Sequence, residues 1–356
     1  MLSEGIGRPS HLRSLNHRAL VRAIRDHGPI SRSDLARRLG MSKVTVSSIV
    51  TDLLGDAVVR EAGTASQGIG RSATLLDLHP SIGVLAAADM DSETIRLRLS
   101  DMRGTRIRQA KHNMPDSLGE LLSLIADGLA GLAEDSDTSL SQILHLKIAV
   151  PAAVEPNGNI SFASSPKYIE GKGTFRQLQK LLPGSLVSLV NDVNAASIGE
   201  GRCGAARGWS KYAYLGVRKS GIGMGLVLND RLYLGAHGRA GEIGLLRPRG
   251  EPWPLDAVSS EQAPEALNEL AKVVATTFAL LDLEGIVLHT RLKEGVDWFE
   301  ELERHLQAMV PYTVELTEGR LGDDGPLVGA TMLALDQTWK KLESVVRSAT
   351  NSRRRS

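Results

Sequence analysis

The sequence predicts an α/β chain in two parts: a small basic head of helices and a hairpin, and a larger body of two similar lobes. Three observations predict it. Helical stripes with capping residues follow one another before residue 60 and then give way to two short strands. Between Arg8 and Ser48 there are nine basic residues and only two acidic ones, Asp26 and Asp34. A strand, loop, strand, turn, strand order then occurs twice, in "VLAAADMDSETIRLRLSDMRGTRI" and in "YAYLGVRKSGIGMGLVLNDRLYLGA".

The bulk numbers leave room for this division. At 356 residues the chain can bury two or three cores. It is 42% hydrophobic and 23% charged with a net charge of +1, so a basic head implies a mildly acidic remainder. That asymmetry is the footprint of a nucleic-acid partner. No apolar run approaches the roughly eighteen residues that span a bilayer, so no membrane association is expected. The opening "MLSEGIGRPSHLRSL" lacks the apolar centre of a secretion signal, so the expected compartment is the cytoplasm. The lone Cys203 excludes an intramolecular disulfide and a multi-cysteine metal site.

In the head, residues 1–80, the first helix is expected from about Asn16 to Asp26, with Leu20, Val21 and Ile24 on one face. "SRSD" starts the second: Ser31 can cap while Asp34 reaches back, and Gly40 ends it. Ser42 caps the third, whose Val46, Ile49, Val50, Leu53 and Leu54 fall at helical spacing. The short joint "RRLGMSK" makes this a helix-turn-helix. Opposite the buried stripe lie Val44 and Ser48, with Thr45 and Thr51 beside them and Lys43 at the amino end, where backbone donors also face a phosphate. Small polar and methyl-bearing side chains there suit base edges in the major groove. "AVVREAG" and "SATLLDLHP" then read as a hairpin, and their loop carries Arg71, suited to a minor groove. The head is thus a winged helix-turn-helix, with Ser42, Lys43, Val44, Thr45, Ser48 and Arg71 as candidate DNA contacts.

The body, residues 81–356, repeats its opening order, turning first at Arg103-Gly104 and then at Asn229-Asp230. Two such halves describe the two-lobed, ribonuclease H-like fold of actin and hexokinase. "NDVNAASIGEGRCGAARG", "GIGMGLVLNDRLYLGAHGRAGEIG" and the head's "SRSDLARRLGMSKVTVSSIVTDLL" together resemble the ROK family of repressors, open reading frames and kinases, over nearly the whole chain. The resemblance implies a sugar-responsive transcriptional regulator when a head is present, and an ATP-dependent sugar kinase when it is absent.

The resemblance assigns Asn191 and Asp192 to the sugar, with Asp192 as the base a kinase would use; Glu242 matches a further ligand and Asp256 replaces a glutamate. Several departures oppose catalysis. In "DMDSET" Asp89 is kept, but Asp91 and Ser92 stand where glycines would be and Glu93 replaces a threonine. Added carboxylates repel a phosphate, by about 4 kcal/mol for like charges 4 Å apart at an effective dielectric of about 20. Lys219-Ser220 precede the second loop, whose Gly221, Gly223 and Gly225 are read as tight turns. His289-Thr290 replace a glycine pair beside the adenosine. The family histidine after "GEIG" is Leu245, the asparagine after "SP" is Lys167, and the three zinc cysteines are absent.

The expectation is therefore a ROK regulator, a repressor of carbohydrate-related genes, with no catalytic residue, cofactor or metal. Its expected partners are a double-stranded DNA operator and a monosaccharide effector, and its expected state is a homodimer or homotetramer. The alternative is an ATP-dependent sugar kinase with an added DNA-binding head. Leu245 and Lys167 also leave open a regulator that answers to a different ligand or to a protein.

Overall fold

The computed structural model describes residues 9–65, 72–218, 221–246, 263–290 and 297–352. The chain opens with helix α1 (Pro9–His27), strand β1 (Ile30–Ser31), α2 (Arg32–Leu39), α3 (Lys43–Gly55) and the strands β2 (Val59–Ala65) and β3 (Ala73–Leu78). The caps fall where the sequence puts them. Ser31 accepts from the Asp34 amide, Gly40 closes α2 in the left-handed region, and Ser42 accepts from the Thr45 amide. Asp34 also accepts from the Ser31 hydroxyl at 2.7 Å. Helix α1 begins earlier than the apolar stripe alone suggests, since Pro9 suits a first turn where its missing N–H has no partner to lose. Strands β1, β3 and β2 pair antiparallel in that order.

The first lobe follows with β4 (Val84–Met90), β5 (Thr94–Ser100), β6 (Arg106–Asn113), α4 (Leu118–Glu134), β7 (Ile143–Val150), the short pair β8 (Ala153–Val154) and β9 (Ile160–Ser161), α5 (Arg176–Leu181) and β10 (Leu186–Asn191). Helix α6 (Asp192–Cys203) leads to the second lobe: β11 (Lys211–Arg218), β12 (Gly221–Leu228), β13 (Arg231–Leu232), α7 (Ala263–Leu281), β14 (Gly285–Thr290), α8 (Trp298–Met309) and β15 (Leu316–Glu318). Helix α9 (Gly325–Ser352) ends the described chain. The sheets run β6-β5-β4-β7-β10 and β13-β12-β11-β14-β15. In both, the first three strands are antiparallel and the last two join parallel. The internal repeat read from the sequence is thus a repeat of sheet topology. The hairpin turn at Asn229 and Asp230 has φ of 54° and 61°, the left-handed pair that such a two-residue turn requires.

Each lobe buries its own apolar core: α4 and α5 cover one sheet, α7 and α8 the other. Helices α6 and α9 cross between the lobes at backbone contact. A Cβ on Gly329 would sit 1.7 Å from the Ala195 carbonyl, so only glycine fits there.

Apolar packing runs across the 80/81 boundary. Leu20, Ile24, Val46 and Leu76 of the head share a cluster with Leu85, Met102, Leu335 and Trp339 of the body. The Trp339 indole N–H donates to Met102 O at 3.0 Å, and the Arg25 guanidinium lies 5.4 Å over its ring. Arg103 donates to the carbonyls of Ile24 and Arg25 at the end of α1 and pairs with Asp77. A cation at a helix carboxyl end meets unpaired carbonyls and the negative end of the dipole.

Candidate functional site

Two surfaces collect the residues singled out above. The first is the outer face of α3. Its inner face buries Val46, Ile49, Val50 and Leu53, which turns Lys43, Val44 and Ser48 outward; Val44 is 80% exposed. Ser47 shares this exposure and was not anticipated, because the stripe alone does not rank neighbours on a polar face. Ser42 and Thr45 are tied into the helix end: their hydroxyls pair at 2.8 Å and Ser42 accepts the Thr45 amide at 3.0 Å. Arg71 lies outside the described residues.

The second surface is the floor between the lobes. Asn191 caps α6, its Oδ1 accepting from the Asn194 amide at 2.9 Å and its Nδ2 donating to Ala152 O at 3.1 Å. Both ends of the amide are therefore spoken for by backbone. Asp192 Oδ1 accepts from the Val193 amide at 2.8 Å, and Arg218, at the end of β11, holds Oδ2. Side-chain exposure is 9% for Arg218 and 6% for Asp192. Alongside, Asp89 pairs with Arg96 of β5, and Arg96 reaches Asp324 at 3.0 Å just before α9. Burial opposes the charge on Arg218, but Asp192 and Asp89 outweigh it and raise its pKa. Burial pushes the Asp89 carboxyl up, against Arg96 and Arg218. Arg96 and Arg98 belong to the polar face of an alternating strand, yet both are buried, because that face looks onto the floor rather than to water.

At the mouth, Glu242 is half-buried; burial first and the Asp192 charge second push its pKa up to about 7. Asp256 lies outside the described residues. Asp91 takes the amides of its own turn: its Oδ1 accepts from Glu93 N at 2.9 Å and Thr94 N at 2.8 Å. The donors that a phosphate would use are already satisfied by a side chain. Gly223 and Gly225 correct the tight-turn reading. They lie within β12, where a Cβ would sit 2.9 Å from Val193 Cγ2 and 2.8 Å from Ser197 Cβ, so their smallness lets α6 lie against the strand. Gly221 alone has a positive φ, 156°. Lys219 and Ser220 lie outside the described residues. His289, next to the end of β14, has its ring 3.2 Å from Asp323, and Lys167 donates to Ala163 O. Among the described residues no group of three His, Cys, Asp or Glu converges to hold a metal, and no helix is long and apolar enough to cross a membrane.

Residues 86–252 match the model of the ROK family. The chain carries a ROK family domain. It is 28% identical over 236 residues to the xylose repressor of Bacillus spizizenii, covering 65% of this chain and 60% of that protein. The chain thus spans about 60% of the length of the curated relatives it matches. A crystal structure of a ROK family transcriptional regulator, described as a homologue of the E. coli MLC protein, overlays with a TM-score of 0.70 at 18% identity, covering 95% of this chain and all of that one. The ROK hexokinase from Thermus thermophilus overlays at 0.57 and 20% identity, covering 71% of this chain and 98% of that one. The hexokinase-like α/β architecture of the ROK domain follows from these overlays.

Proposed function

We propose that the chain is a DNA-binding transcriptional regulator, a repressor of carbohydrate-related genes, whose kinase-like cleft senses and does not phosphorylate. One observation carries this reading: Asp192, the residue that would activate a sugar hydroxyl, has both oxygens committed, one of them to the buried Arg218. A general base must reach the proton it takes, and a carboxylate held by a guanidinium is blocked. The Asp91 turn supports it, since its amides are no longer open to phosphate.

The head acts as a winged helix-turn-helix, with α3 in the major groove and Lys43, Val44 and Ser48 toward the bases and phosphates. Arg71 on the wing and Ser42 and Thr45 at the helix end complete the contact. A two-fold dimer, alone or as half of a tetramer, would present two such helices about one DNA turn apart. The effector is a monosaccharide, in keeping with relatives named xylose repressor. It binds between Glu242 and the Asn191–Asp192 corner, with Asp256 contributing, and its hydroxyls compete with Arg218 for Asp192. The protein acts in the cytoplasm.

Selection of an operator from random DNA, followed by gel shifts with and without xylose, tests the reading. A palindromic site that Lys43→Ala binds more weakly is the expected result. Sugar-dependent release of ADP that disappears in Asp192→Asn would establish the kinase instead.

A further inference from the structure

A cavity of about 690 Å³ is lined by Asn191 but not by Asp89, Asp192 or Glu242. It runs along β10, an edge strand of the first-lobe sheet. Lys147 of β7 stands on its wall at 5% exposure. Among the described residues its ammonium has one hydrogen bond, a long one of 3.4 Å to Gln337 Oε1, and no carboxylate. A buried ammonium without an anion forfeits hydration and receives little in return. The neighbouring wall groups do not supply the missing charge. Ser188 is occupied by His145 at 2.7 Å, and burial pushes the His145 pKa down to about 4, so that ring is neutral at physiological pH. Asn194 lines the same space with a buried Oδ1 that has no partner among the described residues. Among the described residues of the wall the acid is Glu155, which already faces Arg239 at 3.5 Å, while Arg176 adds a second cation. The remaining wall is largely apolar, with Leu189, Val190 and Leu333.

We propose that this cavity binds a small organic anion, whose carboxylate or phosphate is anchored by Lys147 and whose apolar body lies along β10. The volume suits a ligand of metabolite size, and the amide groups of Gln337 and Asn194 can orient it. Burial lowers the Lys147 pKa to about 8, so the amine keeps its proton at neutral pH and gains from a counter-charge. The far wall belongs to α9: Leu333 and Gln337 line the cavity, while Leu335 and Trp339 pack in the head's core. An anion therefore bears on the helix to which the head is docked. Only this last consequence rests on the DNA-binding reading.

The test uses the full chain with benzoate and phenyl phosphate as probes and benzamide as the uncharged counterpart, read by thermal unfolding and titration calorimetry. One or both anions should raise the melting temperature, benzamide should not, and whichever anion acts alone identifies the headgroup. Lys147→Met should weaken the binding at least ten-fold. Because it replaces an unpaired buried charge by an apolar chain of similar length, this variant folds without the anion, so lost binding is not lost folding. Failure of both anions, or an undiminished affinity in Lys147→Met, overturns the proposal, whatever the DNA assays show. Binding of the anion by wild type with no change in operator affinity would remove the link to the head and leave the site intact.

Discussion

Replacing Arg218 by methionine should strand the charge on Asp192. The pair is almost fully shielded, with side-chain exposures of 9% and 6%. Asp192 would keep a single backbone donor, the Val193 amide, and Asp89 would lose the more distant of its two cations. Removing one member of a buried pair costs about 3–5 kcal/mol, chiefly because the survivor stays buried and unpaired. The full figure applies here, since among the described residues no other cation is bonded to Asp192. Adding Asp192→Asn removes the stranded charge and should return at least about 2 kcal/mol, a coupling far above the few tenths seen for independent sites. Urea unfolding of the four proteins at pH 7.5, followed by linear extrapolation, closes the cycle. A cost below about 1 kcal/mol for Arg218→Met, or strictly additive single changes, would mean that the guanidinium does not hold Asp192. The account of a silenced base would fall with it.

Other outcomes follow from single positions. The Glu242 pKa of about 7 in the fold lies above the ordinary 4.5, so the native state holds this proton more tightly than the unfolded chain. Its contribution is fully present below about pH 4.5 and is lost as pH rises through 7, by roughly 3 kcal/mol in total. Glu242→Gln should therefore gain on wild type between pH 5 and 8 in urea melts; a flat difference refutes the assignment. Gly329→Ala should destabilise by more than about 3 kcal/mol although alanine is the better helix former by about 1 kcal/mol. The added methyl meets the Ala195 carbonyl, which cannot swing away, whereas Gly119→Ala in α4 has open space and should be neutral or better. Val44→Ala should leave the melting temperature within a degree or two, as exposed changes cost at most about 0.5 kcal/mol. If Val44 reads a thymine methyl, the same change relaxes preference at one base pair of the operator by about 1–3 kcal/mol.

Local chemistry was the legible part of this chain. Ser31, Gly40 and Ser42 mark helix ends because caps act within four residues, and the turn at Asn229-Asp230 is written in two adjacent side chains. The repeated sheet was visible for the same reason: strand, turn and strand are contiguous. What was missed depends on partners far along the chain. Arg96 alternates with Ile95 and Leu97, and nothing in that alternation says that Asp89 and Asp324 cover it. Arg218 carries no local signal of its role, which appears only where the fold brings it to Asp192. Gly223 and Gly225 look like loop glycines because the helix that needs their smallness lies some thirty residues earlier. The cavity along β10 left no trace, since its walls come from six separate segments.

Helix α9 is also a structural tether with practical weight. The tryptophan that finishes the head's interior, Trp339, is supplied by a segment more than 250 residues downstream of β3. Cutting the chain near residue 80 to graft this head elsewhere would bare Leu20 and Ile24 on one fragment and Leu335 and Trp339 on the other. A chimera that exchanges DNA specificity should carry its own terminal helix with it, or recreate that apolar seam on the acceptor.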